Sequence, residues 1–209
     1  MTTPRGLILL LAALGLSSCQ LLGSKKEDFA IYGVELTAPP GKGEPVEWQL
    51  VIDEPVAADP TRGSRIVLKP EDRAYGVYKG ARWTDRATEL VQALMIEAFE
   101  SSNRIVGLGR SSSSVRGDFM LMTELRAFEA RYDAGAAVAH IEISAKLVHA
   151  ARNEVVAAKV FEADAPAAGR DVASVVPAFE VAVNEALAAL VGWTFEQGNA
   201  NATEAEPES

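Results

Sequence analysis

The sequence predicts a single α+β domain, a mostly antiparallel sheet with two main helices packed on it. Three observations carry this expectation. Within 137–149, Ala137, Ala139, Ile141, Ile143, Ala145 and Leu147 alternate with His140, Glu142, Ser144 and Lys146, the period of a strand with one buried face. Two segments, 84–101 and 174–197, repeat apolar residues at helical spacing. No linker or internal repeat divides the chain between its ends, and 209 residues suffice for one real core.

The elements follow in order. Residues 29–36, "FAIYGVEL", predict a strand, and 38–45, with three prolines and two glycines, a loop. "VEWQLVID", 46–53, predicts a second strand with Trp48, Leu50 and Ile52 on one side. "SRIVLKP", 64–70, predicts a third, closed by Pro70, and a short strand near 74–78 follows. Over 84–101, Thr84 is a candidate cap, Asp85 suits the positive first turn, and Leu90, Val91, Leu94, Met95, Ala98 and Phe99 form one stripe. "RIVGLG", 104–109, reads as a strand and "RSSSSVRG", 110–117, as a polar loop. An antiparallel meander is expected over 118–131, 137–149 and 154–163, with turn residues at Asp133-Ala134-Gly135 and Arg152-Asn153. The last helix carries Val175, Val176, Phe179, Val183, Leu187, Leu190 and Val191 on one face. Pro177 costs about 3 kcal/mol in a helix interior, so the regular helix is expected from near Ser174 to near Gln197.

The termini read differently. Residues 1–18 have the layout of a lipoprotein signal peptide: one arginine, the apolar run "GLILLLAALGL" and then small residues. Eleven apolar residues fall short of the roughly 20 that span a bilayer. Leu16-Ser17-Ser18-Cys19 resembles a lipobox, which makes Cys19 the candidate lipidation site. A thioether requires the thiol, and small neighbours let the chain enter a peptidase in extended form. Residues 19–28 would then be a lipidated tether, 29–197 the folded domain and 198–209, "GNANATEAEPES", a disordered acidic tail. Cleavage before Cys19 would remove Arg5 and change the side-chain charge from −9 to −10.

Composition narrows the function classes. A net charge of −9 argues against nucleic-acid binding, and one cysteine excludes an internal disulfide framework. Two histidines offer little for a metal site, and no cofactor motif is present. Ser111 to Ser114 lack a G-x-S-x-G elbow. His140 and His149 are nine apart, on opposite faces of one strand, and read as surface or half-buried side chains. Glu124, Glu129 and Glu142 are scattered over strands and read as solvated. "GKG", 41–43, and "GLGR", 107–110, read as glycine turns rather than phosphate loops. No catalytic residue is assigned. Tyr75, Tyr78 and Trp83 crowd one region; aromatics there usually pack the core, and the alternative is a partner contact.

An ordered series of segments resembles the ABC-type transport auxiliary lipoprotein family, of which paraquat-inducible protein C is a member. They are "WQLVIDEPVA" at 48–57, "RGSRIVLKP" at 62–70, "YGVYKGARWTDRATELVQALMIEAFESSNRIVGLGR" at 75–110, "DFMLMTELRAFEARY" at 118–132, "AKLV" at 145–148 and "DVASVVPAFEVAVNEALAALVGWT" at 171–194. The resemblance implies a non-enzymatic, lipid-anchored protein facing the periplasm. Its implied partners are an MCE-domain protein and the associated ABC permease and ATPase in lipid traffic across a bacterial envelope. Contact with lipid and self-association stay open. Gln20 favours the outer membrane over the inner. The alternative reading is a structural or assembly-factor lipoprotein unrelated to lipid transport. Only Cys19 takes a functional role from the resemblance, and Pro177 departs from the residues expected at its position.

Overall fold

The computed structural model describes residues 29–37, 43–71, 74–113, 115–133 and 135–202. Its strands are β1 (Ala30–Tyr32), β2 (Leu50–Ile52), β3 (Arg65–Lys69), β4 (Gly76–Trp83), β5 (Leu108–Arg110), β6 (Phe119–Asp133), β7 (Ala136–His149) and β8 (Glu154–Pro166). Helix α1 (Ala87–Ser101) falls between β4 and β5, and α2 (Val172–Ala202) closes the domain. The expected α+β architecture is present.

Strand β6 organises the sheet. One edge pairs antiparallel with β7 along its length, and β7 pairs antiparallel with β8. The other edge is shared end to end: β2 runs parallel to residues 119–121 and β3 parallel to 129–131. Strand β5 extends the sheet beyond β2, and β4 then β1 extend it beyond β3. Antiparallel pairing dominates by length, but the four pairings β1–β4, β2–β5, β2–β6 and β3–β6 are parallel, so the sheet is mixed. These parallel contacts join distant segments, which local periodicity does not encode.

A bulge between Leu125 and Ala127 governs β6. Before it, Phe119, Leu121 and Leu125 face the core; after it, Phe128 and Ala130 do. One extra residue flips the alternation, and every later side chain changes face. The core lies between the sheet and both helices. Trp83, Phe99, Phe119, Phe128, Phe179 and Phe195 are fully buried in it. Each buried side chain of this size contributes roughly 1.5–3 kcal/mol. Helix α2 packs across β7 and β8, and α1 packs beside it over β2 and β5. Helix α2 is long and apolar enough to cross a membrane, yet its apolar face here is buried on the sheet.

Several boundaries differ from expectation. The first strand shrinks to Ala30–Tyr32, and residues 33–37 continue without ladder pairing. The second pairs only over Leu50–Ile52, and the strand expected at 104–109 is Leu108–Arg110. The strand expected at 74–78 runs from Gly76 through Trp83. Helix α1 starts at Ala87, with Arg86 at the N-cap and no side-chain capping bond. Thr84 instead donates its backbone N–H to Tyr32 O at 2.9 Å, which ties the residue to β1.

Helix α2 begins earlier than Pro177 suggested. Asp171 Oδ1 accepts the Ser174 backbone N–H at 3.1 Å, and Asp171 Oδ2 accepts the Ser174 hydroxyl at 2.8 Å. This cap settles the first turn, and Pro177 lies within the helix. Ser174 also holds the Asp171 carboxyl below its ordinary range. The helix also ends later, at Ala202, so residues 198–202 of the expected tail are helical. Packing explains the extension. A Cβ on Gly198 would lie 2.5 Å from the Trp48 ring, so only glycine lets the helix approach this closely. Trp48 Nε1 donates to Asn199 Oδ1 at 2.8 Å.

Candidate functional site

With both helices on one side, the opposite face of β6, β7 and β8 is open. Charged side chains fill its β3 end. Glu129 is 1% exposed, although the sequence suggested a solvated carboxylate. The bulge turns it onto the open face, where Lys69 Nζ approaches at 3.2 Å and Arg131 Nε donates at 3.1 Å. Burial lowers the Lys69 pKa, but the hydrogen bond and charge of Glu129 outweigh it, and the net shift is upward. Glu124 and Glu142 are more accessible and bracket Arg126 at 3.0 and 3.4 Å. Their hydrogen bonds raise the Arg126 pKa.

His140 and His149 lie on opposite faces of β7, as their spacing requires, but both are buried rather than surface or half-buried. His149 stacks edge-on against Phe119, with ring centroids 5.3 Å apart. His140 is 0% exposed and pairs in register with Asp164 on β8. Its Nδ1 lies 2.7 Å from Asp164 Oδ1 and 3.8 Å from Glu162 Oε1. Sequence reasoning missed this cluster, because strand register alone brings His140 beside Glu162 and Asp164. The three donor atoms lie within 4.8 Å of one another, a spacing seen in metal sites. A metal on Nδ1 would force the proton onto Nε2, which is buried and has no hydrogen-bond partner among the described residues. Metal-bound histidines ordinarily donate that second N–H. The geometry suits an Nδ1–H donated to Asp164 better than coordination.

The three candidate contact aromatics separate. Tyr75 is 50% exposed, with Lys69 Nζ 5.3 Å from its ring centroid. Tyr78 is buried, and its hydroxyl meets the Tyr132 hydroxyl at 2.9 Å. Burial, then that hydrogen bond, pushes the Tyr78 pKa well above the phenol range. Trp83 is 0% exposed, with Phe128 and Phe179 at 5.2 and 5.1 Å between centroids. Trp83 and Tyr78 are therefore buried in the packing, where aromatics of that region were expected, and are not available for the alternative of a partner contact. Only Tyr75 presents a ring to solvent. Cys19, the tether 19–28 and the tail from 203 lie outside the described residues.

Two serines of the loop are held by hydrogen bonds. Ser111 Oγ donates to Asp53 Oδ1 at 2.5 Å, and Ser113 Oγ donates to Arg110 O at 2.6 Å. Among the described serines, none hydrogen-bonds to His140 or His149.

The fold is a two-layer α+β module, a mixed sheet with both helices on one face. The chain belongs to the family of ABC-type transport auxiliary lipoprotein components, which it matches over residues 33–191. It is similar to protein XCC0632 from Xanthomonas campestris, a solved structure of the DUF330 family. That likeness has 34% identity and a TM-score of 0.79, and it covers 83% of this chain and 99% of the other. A second crystal structure, of an uncharacterized protein, shares the fold at 18% identity and a TM-score of 0.53, over 85% of this chain and 99% of that one. A protein of Bradyrhizobium diazoefficiens, also uncharacterized, is 29% identical over 145 residues. They make up 69% of this chain but only 39% of that relative's length. Family membership associates the protein with an ABC transport system and with the lipoproteins of the bacterial envelope.

Proposed function

We propose that this protein is a lipid-anchored, periplasm-facing auxiliary subunit of an MCE-type ABC lipid transport system, held at the outer membrane through Cys19. The observation that carries this reading is the family match over 33–191 directly behind a lipobox ending at Cys19. Acylation of Cys19 would confine the domain to a membrane surface, since each buried CH₂ contributes about 0.8 kcal/mol. The domain then contributes contact surface rather than chemistry, docking the MCE-domain protein that works with the permease and ATPase.

Two measurements test this. Cys19→Ala should lose metabolic acyl labelling and leave the membrane or accumulate as precursor. Normal anchoring of that variant would remove the lipoprotein part. The wild-type protein, solubilised from its own membrane, should co-purify with the MCE-domain protein and the permease encoded beside it. A gene neighbourhood without these components, together with no co-purification, would refute the transport part.

A further inference from the structure

The corner of the sheet formed by β1, β4 and β3 carries charge opposite to that of the chain as a whole. These three strands hold Arg65, Lys69, Lys79 and Arg82 and no carboxylate, in a protein with 29 acidic and 20 basic side chains. Register places Ile31, Arg82 and Arg65 in one row on three neighbouring strands. Ile66, Ala81 and Trp83 are buried in the core, so this row points away from the helices. Tyr78 is buried too, so Val77 beside it faces outward, and Lys69 reaches the Tyr75 ring on the same side. Ile31, Tyr75 and Val77 are all exposed. Among the described residues Lys69 pairs with Glu129, whereas Lys79 and Arg82 have no ion-pair partner. Glu71 and Asp85 lie outside the strands, just past the ends of β3 and β4. At about 4.8 Å between strands and 3.3 Å per residue along them, the row and β3 bound an area of roughly 10 by 13 Å.

The chain enters the domain at this corner. The Phe29 ring, one residue before β1, lies under the Arg65 guanidinium, whose Cζ is 4.4 Å from the ring centroid. Phe29 follows Cys19 by ten residues, which reach about 33–36 Å at full extension. A lipid anchor at Cys19 therefore holds this corner within that distance of the bilayer.

We infer that this corner lies on the anionic surface of the bilayer that holds the anchor, with its four cations on lipid phosphates and Ile31, Tyr75 and Val77 at the headgroup level. The inference rests on the proposed acylation of Cys19 and gives the anchored domain an orientation. Three observations select a membrane as the occupant. The first is charge. Each basic side chain held near an anionic leaflet strengthens attachment about fivefold. A chain of net charge −9 is repelled from such a surface, so only a locally reversed patch can face it. The second is composition. Basic side chains with long apolar stems, a tyrosine and isolated aliphatic residues suit the boundary between headgroups and hydrocarbon. The third is position, because the tether starts on the patch itself. In this orientation the helix layer, with Val181 exposed on α2, is turned away from the bilayer.

The test uses the full-length acylated protein in vesicles of phosphatidylethanolamine with phosphatidylglycerol, compared with vesicles of phosphatidylcholine alone. Acylated Cys19 has no free thiol and is the only natural cysteine, so a fluorophore can be placed on Val77→Cys or, as the control, on Val181→Cys. Lipids with a nitroxide on the headgroup should quench the probe at 77 at least about fivefold more than the probe at 181. That difference should vanish in phosphatidylcholine, and also at about 1 M salt, where the screening length falls to about 3 Å. Arg65→Glu and Lys79→Glu, both at exposed positions, should each weaken the site-selective quenching about fivefold and leave thermal unfolding unchanged. The inference is overturned by equal quenching at the two sites, by a difference that persists in phosphatidylcholine, or by wild-type quenching in the double glutamate variant. A photocrosslinker at position 77 in cells that captures protein in place of lipid overturns it as well. Flotation with the vesicles is read in parallel. Protein that fails to float overturns the anchor and the orientation together, whereas protein that floats with equal quenching overturns the orientation alone. Loss of co-purification with the transport components, with site-selective quenching intact, sinks the transport role alone.

Discussion

Trp83 decides between packing and docking, and its replacement gives a large, readable effect. The ring is fully buried between Phe128 and Phe179. Trp83→Ala therefore opens a cavity in the middle of the core, which costs about 3–5 kcal/mol for a buried aromatic. Each aromatic pair adds about 0.5–1.5 kcal/mol beyond area burial, so the upper half of that range is expected. In a domain of this size each kcal/mol moves the melting temperature by about 2–4 °C. A fall of roughly 8–20 °C follows, with a matching drop in the urea midpoint at unchanged m-value. Trp83→Phe keeps most of the volume. It also removes Nε1, a buried donor with no hydrogen-bond partner among the described residues, and so should cost less than half as much. A double-mutant cycle of Trp83→Ala with Phe179→Ala should show a coupling of about 0.5–1.5 kcal/mol. Tyr75→Ala, at an exposed position, should stay within about 0.5 kcal/mol of wild type. The packing assignment fails if Trp83→Ala unfolds within about 1 kcal/mol of wild type while partner co-purification is lost.

Three further outcomes follow from the same geometry. Tyr78 ionises with more difficulty folded than unfolded, so its contribution is complete below pH about 10 and is lost as pH rises above that; alkaline unfolding curves should be flatter for Tyr78→Phe than for wild type. Glu129→Ala leaves Lys69 and Arg131 facing each other, each about one-third exposed, and should cost about 2–3 kcal/mol in urea unfolding, less than a fully buried pair. Asn184 accepts from Thr37 N at 2.9 Å and donates to Glu35 O at 2.9 Å, so Asn184→Ala should raise hydrogen exchange over residues 33–37 by at least about tenfold and leave β7 protected.

The pattern of what the sequence disclosed follows from the range of each interaction. Strand β7 was legible because its alternation is local and unbroken, and the stripe of α1 was legible for the same reason. The open face was not. Glu129 looked like its neighbours Glu124 and Glu142 until the bulge after Leu125 put it between Lys69 and Arg131. Gly198 and Asn199 looked like tail because their composition is polar and small, but Trp48, 150 residues away in sequence, makes a glycine and an amide the right choices there. His140 sat on the polar face of β7 as expected, and only the β7–β8 register supplies the two carboxylates beside it. The same rule shapes the apolar row on the open face. Val51, Met120, Val148 and Val155 are single apolar residues in four separate segments, and none is conspicuous in its own. They become one surface only when β6 holds β2 on one edge and β7 on the other. A face built this way leaves no linear motif, so a reading along the chain registers the lipobox-like segment and the family resemblance but not this row.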